Sequence, residues 1–161
     1  MILSKMGTAE ARTSYTFPSL HQAVAEAVSN DIPSTWFKKK GNKGASSHEY
    51  STNVMGKFRC NTEGCKDWSS KTVAILIRGY PGNGYHAVVF NQRCKTCDCL
   101  GILTLDEDSY VERVAYRLKK WAGVHMERPV YREKSGPPHE RALCEGCKRG
   151  YCQQKGGREE Y

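Results

Sequence analysis

Eight cysteines, six of them in closely spaced pairs, constrain this chain more than any other feature. The pairs are Cys60 with Cys65, Cys94 with Cys97, and Cys144 with Cys147. Two thiolates separated by two to four residues on a tight turn, a zinc knuckle, can both bind one tetrahedral ion at about 2.3 Å. Two knuckles together supply the four ligands of a closed site. The spacing therefore predicts structural zinc rather than scattered buried thiols.

The cysteines are expected to stay reduced, because the sequence shows no export signal. The only apolar run near its start is Met1–Leu3, far shorter than the core of a signal peptide. No stretch approaches the ~18–20 apolar residues of a membrane-spanning helix. We therefore expect an intracellular protein, cytoplasmic or nuclear, with no membrane span. In those compartments paired cysteines bind metal more often than they form disulfides.

The ligand count predicts two zinc ions per chain, since two four-coordinate sites need eight ligands. Cys99 lies two residues after Cys97 in the same turn, where a fifth thiolate would crowd the site. His139 is a better eighth ligand, because it lies five residues before Cys144 in a compact array. The predicted metal ligands are Cys60, Cys65, Cys94, Cys97, His139, Cys144, Cys147 and Cys152.

Two ways of sharing these ligands are open. We favour one ion held by the first two cysteine pairs and a second held by His139 with the last three cysteines. In the interleaved alternative, the first and third pairs share an ion. Either arrangement gives closed, thiolate-rich sites, which leave no coordination position for a reacting water.

The sequence predicts no catalytic residue and no small-molecule substrate. His139 and Glu140 begin a metalloprotease-like HExxH pattern, but Leu143 replaces its second histidine. His125 and Glu127 imitate a zinc deaminase motif, but Leu143 stands where that motif has a proline before its CxxC. A thiol or zinc enzyme is thus the least favoured class, with only Cys99 spare to act as a reactive thiol.

The patterning predicts an α+β fold with a small antiparallel sheet around zinc-ribbon sites. Two β-rich runs, Thr72–Arg78 and Tyr85–Arg93, form a hairpin across a Gly/Pro-rich tip. An apolar stripe predicts one main helix over Ser109–Ala122, packed on the sheet, with an acidic start at Asp106–Asp108. A shorter amphipathic helix, from Leu20 to Val28, is expected to pack on the same body.

The chain divides into one zinc-binding domain with shorter flanking segments. Its length allows one compact domain of ordinary size. We predict a loose N-terminus (1–13), an N-terminal helix packing on the core (14–37), a basic linker (38–52), the zinc-binding domain (53–152) and a polar tail (153–161).

A net charge of +8 favours an acidic partner, with RNA preferred. Tyr80 and Tyr85, at the predicted hairpin tip, could stack on bases. A protein client bound by a chaperone-like adaptor is the alternative partner. The basic candidates for a nucleic-acid surface are Lys38, Lys39, Lys40, Lys43, Arg78, Arg93, Lys95, Lys148 and Arg149.

The order of motifs resembles the 3CxxC-type zinc fingers, from about Phe17 to Cys152. The fungal members without a membrane anchor are more similar than the animal receptor-transporting proteins. The spacing of Cys60 and Cys65, and the added Cys99, depart from the family pattern. The motifs that carry the resemblance are GKFRC (Gly56–Cys60), WSSK (Trp68–Lys71), QRCKTC (Gln92–Cys97), ERVAYRLKKW (Glu112–Trp121) and GPPHERALCEGCKRGYC (Gly136–Cys152).

The resemblance implies a set of zinc ligands but no single activity. Some members help receptors to reach the cell surface by direct protein contact. The zygote-arrest proteins, which share the module, are associated with RNA binding. The resemblance therefore implies a binding module and leaves both kinds of partner possible.

Overall fold

A curled, mostly antiparallel sheet forms the body of the protein in the computed structural model, which describes residues 12–40, 45–125 and 141–150. Within these ranges the strand order is β1-β5-β4-β3-β6, and β2 pairs in parallel with one end of β5. The strands are β1 (Ser14–Tyr15), β2 (Trp36–Phe37), β3 (His48–Arg59), β4 (Trp68–Tyr80), β5 (Gly84–Phe90) and β6 (Ile102–Leu105).

Three α-helices accompany the sheet in the described ranges: α1 (His21–Val28), α2 (Glu107–Trp121) and the short α3 (Glu145–Lys148). Helix α2 begins where the Asp106 side chain accepts a hydrogen bond from the Ser109 amide, 3.0 Å away. It ends at Trp121, and Gly123, two residues further on, has a φ of 84° that suits glycine after a helix. The predicted main helix is therefore confirmed, with its start two residues earlier than expected.

One face of the sheet, the helix-packed face, forms the main core. Ile75, Ile77 and Val89 on this face are fully buried, against Val24 of α1 and Val114 of α2. Successive strand residues point to opposite faces. The residues between them, including Ala74, Leu76 and Phe90, therefore lie on the opposite face, where they pack with Cys144. The predicted α+β fold with a helix packed on an antiparallel sheet is confirmed.

The predicted basic linker is too long. Strand β3 begins at His48, so residues 48–52 of the expected linker are paired with β4. Tyr50 and Thr52 of this segment face α2, where Arg117 lies over the Tyr50 ring and Arg113 donates to Thr52. Sequence reasoning missed this strand because these inward contacts are polar and aromatic rather than aliphatic.

The hairpin tip is shorter than predicted. Strands β4 and β5 pair up to Tyr80 and Gly84, leaving only residues 81–83 as the turn. Gly82 and Asn83 both have positive φ, 79° and 70°. Glycine and asparagine tolerate that conformation better than other residues, so the tight turn follows from local sequence.

The sheet has two different ends, which organise the rest of the molecule. At the hairpin end lie the β4–β5 turn, β2 and the start of β3. At the metal end, β3 leads into Cys60 and β5 leads through Asn91 into Cys94. No helix in the described ranges is long and apolar enough to cross a membrane.

Candidate metal centre

Four thiols meet at the metal end of the sheet. The Sγ atoms of Cys60, Cys65, Cys94 and Cys97 all lie within 4.8 Å of one another, and those of Cys60 and Cys97 are 3.5 Å apart. These are the first two cysteine pairs, so the grouping favoured from the sequence is the one found. The interleaved arrangement, with the third pair beside the first, is wrong.

The first knuckle, residues 60–65, is built where β3 ends. Cys60 is 7% exposed, and the chain turns back so that the Cys65 amide donates to the Thr62 carbonyl at 3.2 Å. Gly64 has a φ of 90°, which other residues rarely adopt. This turn accommodates the four residues between Cys60 and Cys65, so the unusual spacing still brings both thiols to one point.

The second knuckle, residues 94–99, is a tighter loop after β5. The Cys94 amide donates to the Cys99 carbonyl at 2.8 Å, and the Asp98 amide donates to the Cys94 carbonyl at 2.7 Å. Asp98 has a φ of 63°, within the left-handed region that Asp visits more readily than most residues. These bonds fix the loop without an apolar core of its own.

The four thiols fit a tetrahedral zinc ion. Zn–S bonds of about 2.3 Å give sulfur–sulfur edges of about 3.8 Å, which the compact cluster matches. All four cysteines are free thiols, and thiolates are ligands that zinc prefers. The cluster could therefore hold one zinc in a closed site.

Hydrogen bonds prepare part of the cluster for metal. The Thr62 hydroxyl, followed by the Cys99 amide, lowers the pKa of Cys97 to about 6. Burial raises the pKa of Cys94, but the amides of Cys97 and Thr96 outweigh it, and the net shift is downward. Desolvation and the neighbouring sulfurs raise the pKa of Cys65 to about 12. A divalent cation would reverse this last effect, since zinc stabilises the thiolate form.

Cys99 lies beside the cluster but outside it. Its Sγ atom is 3.9 Å from the Thr62 hydroxyl, which also lies 3.5 Å from the Cys97 sulfur. Cys99 also contacts the Cys97 thiol directly, and this hydrogen bond raises the pKa of Cys99. However, Cys99 is exposed to solvent and is not one of the four thiols whose sulfurs all lie within 4.8 Å of one another. This placement supports the prediction that Cys99 is not a ligand.

The third cysteine pair forms a separate turn on the opposite face of the sheet. Cys144, 1% exposed, begins α3, and its sulfur accepts a hydrogen bond from the Cys147 amide at 3.3 Å. Cys94 accepts from its own knuckle amides in the same manner. The two remaining predicted ligands, His139 and Cys152, lie outside the described residues.

A partly buried ion pair joins the second knuckle to the third pair. The Arg93 guanidinium donates to Glu145 Oε2 at 2.8 Å and to the Asp98 carbonyl at 2.9 Å. Lys148 lies 3.4 Å from the same carboxylate, so Glu145 engages both cations. Arg93 and Lys148, two of the predicted nucleic-acid contacts, therefore share an internal carboxylate partner.

Other predicted nucleic-acid contacts are also placed differently. Tyr85 is fully buried in the core and Tyr80 is 6% exposed, so neither ring offers an open face to a base. Arg78 lies 3.6 Å from Glu49, and Arg149 donates to Thr13 at 2.8 Å. Among the predicted basic residues, Lys39, Lys40 and Lys95 have exposed side chains and no such partner within the described ranges. Lys38 is half-buried, and Lys43 lies outside the described residues.

Two amides that sequence reasoning missed hold the metal end together. The Asn91 amide, fully buried, donates to the Arg12 and Gly101 carbonyls at 2.6 and 2.8 Å. Gln92 accepts from the Trp68 indole at 3.0 Å and donates to Ser70 at 3.0 Å. Their role could have been predicted from their position immediately before a knuckle. Strand pairing ends there, so backbone N–H and C=O groups need side chains as hydrogen-bond partners.

The fold and the thiol cluster define a zinc-ribbon protein, in which knuckles at the end of a small sheet share one ion. Comparison with known families gives the same class: residues 53–150, more than half of the chain, match the 3CxxC zinc-ribbon family, described as a zinc-binding domain. The chain belongs to this family. Neither the curated proteins nor the solved structures give a match.

Proposed function

We propose that this protein is a non-enzymatic module of the cytoplasm or nucleus that binds RNA and contains two structural zinc ions. The first ion is held by Cys60, Cys65, Cys94 and Cys97. The second is held by Cys144 and Cys147 with His139 and Cys152. Four protein ligands leave no open position on either ion, so neither activates water or substrate. The closer relation to fungal family members stays a prediction.

Cations without acidic partners at the metal end carry the RNA proposal. Lys57 and Arg59 flank the buried Phe58 on β3, so both project from the opposite face of the sheet. Both are exposed, and neither forms an ion pair in the described part of the chain. Lys66, directly after the first knuckle, and Lys95, on the second, are exposed as well. Unneutralised cations on adjacent elements attract a phosphate backbone.

This basic surface, residues Lys57, Arg59, Lys66 and Lys95, fits nucleic acid better than it fits an apolar client. Its strand and knuckle positions hold the charges at defined places. Apart from the Cys99 thiol, the exposed side chains of the two knuckles are polar, whereas a client-binding adaptor needs an apolar patch. Phosphates would replace the counterions that these cations attract.

Salt dependence tests the proposal. For single-stranded RNA, the log–log slope of affinity against salt is roughly −0.7 for each phosphate neutralised. Arg59→Ala should make the slope shallower by about that amount. Lys119→Ala is the matched control, because it removes the same charge from a side chain 3.7 Å from Asp31, and it should leave the slope unchanged.

Zinc content is checked first in each variant, because a zinc ion with four thiolate ligands has a net charge of about −2. Nearby cations stabilise this charge, so removing one of them affects zinc binding as well as RNA binding. Equal slopes for Arg59→Ala and the wild-type protein would reject the basic surface. Absence of any RNA binding at low salt would reject the function itself and leave the protein-client adaptor as the better hypothesis.

A further inference from the structure

Trp36 is an exposed aromatic side chain held in a fixed position at the hairpin end. It is 41% exposed, and Met55 is the other large hydrophobic residue exposed in the described part of the chain. The indole nitrogen donates to the Gly82 carbonyl at 2.8 Å, and the Trp36 amide donates to the Asn83 carbonyl at 3.1 Å. A ring fixed at both its backbone and its nitrogen loses little freedom when something binds to it.

One surface of the indole lies on Gly84. A Cβ added at Gly84 would collide with three atoms of the ring, so the ring packs directly on the backbone of β5. The residue is 41% exposed, so part of it stays open to solvent. Only glycine at position 84 allows this arrangement, in which the sheet supports an aromatic ring.

Basic residues follow this ring in the chain or lie on the same face of the sheet. Lys38 lies over the neighbouring Tyr80 ring, 5.4 Å from its centroid. Lys39 and Lys40, next along the chain, are exposed and form no ion pair in the described residues. Arg78 lies on the same face of the sheet, cross-strand from His86. Its Nε lies 3.6 Å from Glu49, too far for a good hydrogen bond.

We propose that Trp36 stacks on one unpaired base of single-stranded RNA while Lys38, Lys39 and Lys40 contact its phosphates. This inference rests on the proposed function and assigns it a second contact. An aromatic ring on a sheet, beside cations that follow the backbone, is the usual arrangement for single-stranded nucleic acid. Tyr80 and Tyr85 do not provide this contact, because both are buried.

Charge favours a base over a protein side chain as the occupant. The next three residues after Phe37 are lysines, so the exposed ring stands beside cations rather than within an apolar patch. Protein hot spots instead lie in apolar pockets from which water is excluded. The ring also lies at the far end of β3 from Arg59, roughly 35 Å away along a twelve-residue strand. The two RNA contacts can therefore be removed separately.

The test compares a ten-residue uridine oligonucleotide with an abasic oligonucleotide of equal length. Trp36→Ala should bind the uridine oligonucleotide about 5- to 150-fold more weakly, equivalent to about 1–3 kcal/mol. It should bind the abasic one like the wild-type protein. Trp36→Phe should recover part of the loss. Gly84→Ala, which displaces the ring without changing charge, should act like Trp36→Ala. Zinc content and melting temperature confirm that each variant folds.

The outcomes separate this inference from the proposed function. If Arg59→Ala weakens binding but Trp36→Ala does not, the stacking contact is wrong and RNA binding stands. If the wild-type protein binds neither oligonucleotide, the proposed function fails. In that case the stacking contact is tested by quenching of tryptophan fluorescence with millimolar uridine monophosphate. The contact is overturned if no quenching is seen, or if Trp36→Phe is quenched as strongly as the wild-type protein.

Discussion

The two ends of the sheet are stabilised in different ways. At the hairpin end, Tyr85 is fully buried, its hydroxyl lies 3.1 Å from His21, and Trp121 stacks on His48 with centroids 4.9 Å apart. At the metal end, residues 61–67 and 95–99 of the two knuckles contain no buried side chain. The Phe58 and Trp68 rings stack beside the knuckles, and the four thiols converge between them.

The difference shows what the zinc ion does in this fold. Loops without apolar contacts cannot offset the entropy lost when they become ordered. Metal coordination supplies folding free energy directly, on the order of 10 kcal/mol for a structural site. The metal end therefore depends on zinc, whereas the hairpin end depends on packing against the helices.

The largest effect is expected from Cys94→Ser. It removes one of four ligands from the first site, so the chain should lose one zinc ion and several of the ~10 kcal/mol that the site supplies. Chemical denaturation and elemental analysis measure both losses. Hydrogen exchange should show the knuckles and β6 opening while the hairpin end stays protected. Equal opening of both ends would break the comparison drawn above.

A smaller effect is expected from Asn91→Ala. This change removes a buried amide that bonds the Arg12 and Gly101 carbonyls and leaves those acceptors without a donor. The cost should be about 1–3 kcal/mol of unfolding free energy, with both zinc ions retained. Loss of zinc in this variant would mean that the amide, rather than the thiol cluster alone, holds the knuckles in place.

The smallest effect is expected from Cys99→Ser, the matched control for Cys94→Ser. The same substitution five residues away, at an exposed thiol outside the cluster, should leave zinc content unchanged and shift the melting temperature by no more than a few degrees. Loss of one zinc ion would show that Cys99 is the eighth ligand and that His139 is an ordinary surface histidine.

Much of the fold could be predicted because its signals are local. Asp106, Gly123 and an apolar stripe define α2, and alternating residues define the β4–β5 hairpin. The first part of β3 could not be predicted, because its inward residues, such as Tyr50 and Thr52, contact arginines from a helix about sixty residues away. Contacts between distant segments produce no periodic pattern in the sequence of either segment.

The candidate site was predictable to the extent that spacing determines it. Paired cysteines identified the first cluster, including its grouping. The roles of Asn91 and Glu145 could not be inferred, since each depends on partners that only the tertiary structure brings near. Tyr80 and Tyr85 were predicted to be exposed, because they lie beside a Gly/Pro-rich turn. Both are buried, and Tyr85 points to the helix-packed face.

Zinc content per chain is the most direct test of the account. Elemental analysis of the reduced, folded wild-type protein should give two zinc ions, and Cys94→Ser should retain one. Acidification should release both, because protons compete for the thiolates. A wild-type protein that is folded with one zinc ion or none would contradict the claim that two metal sites hold this chain together.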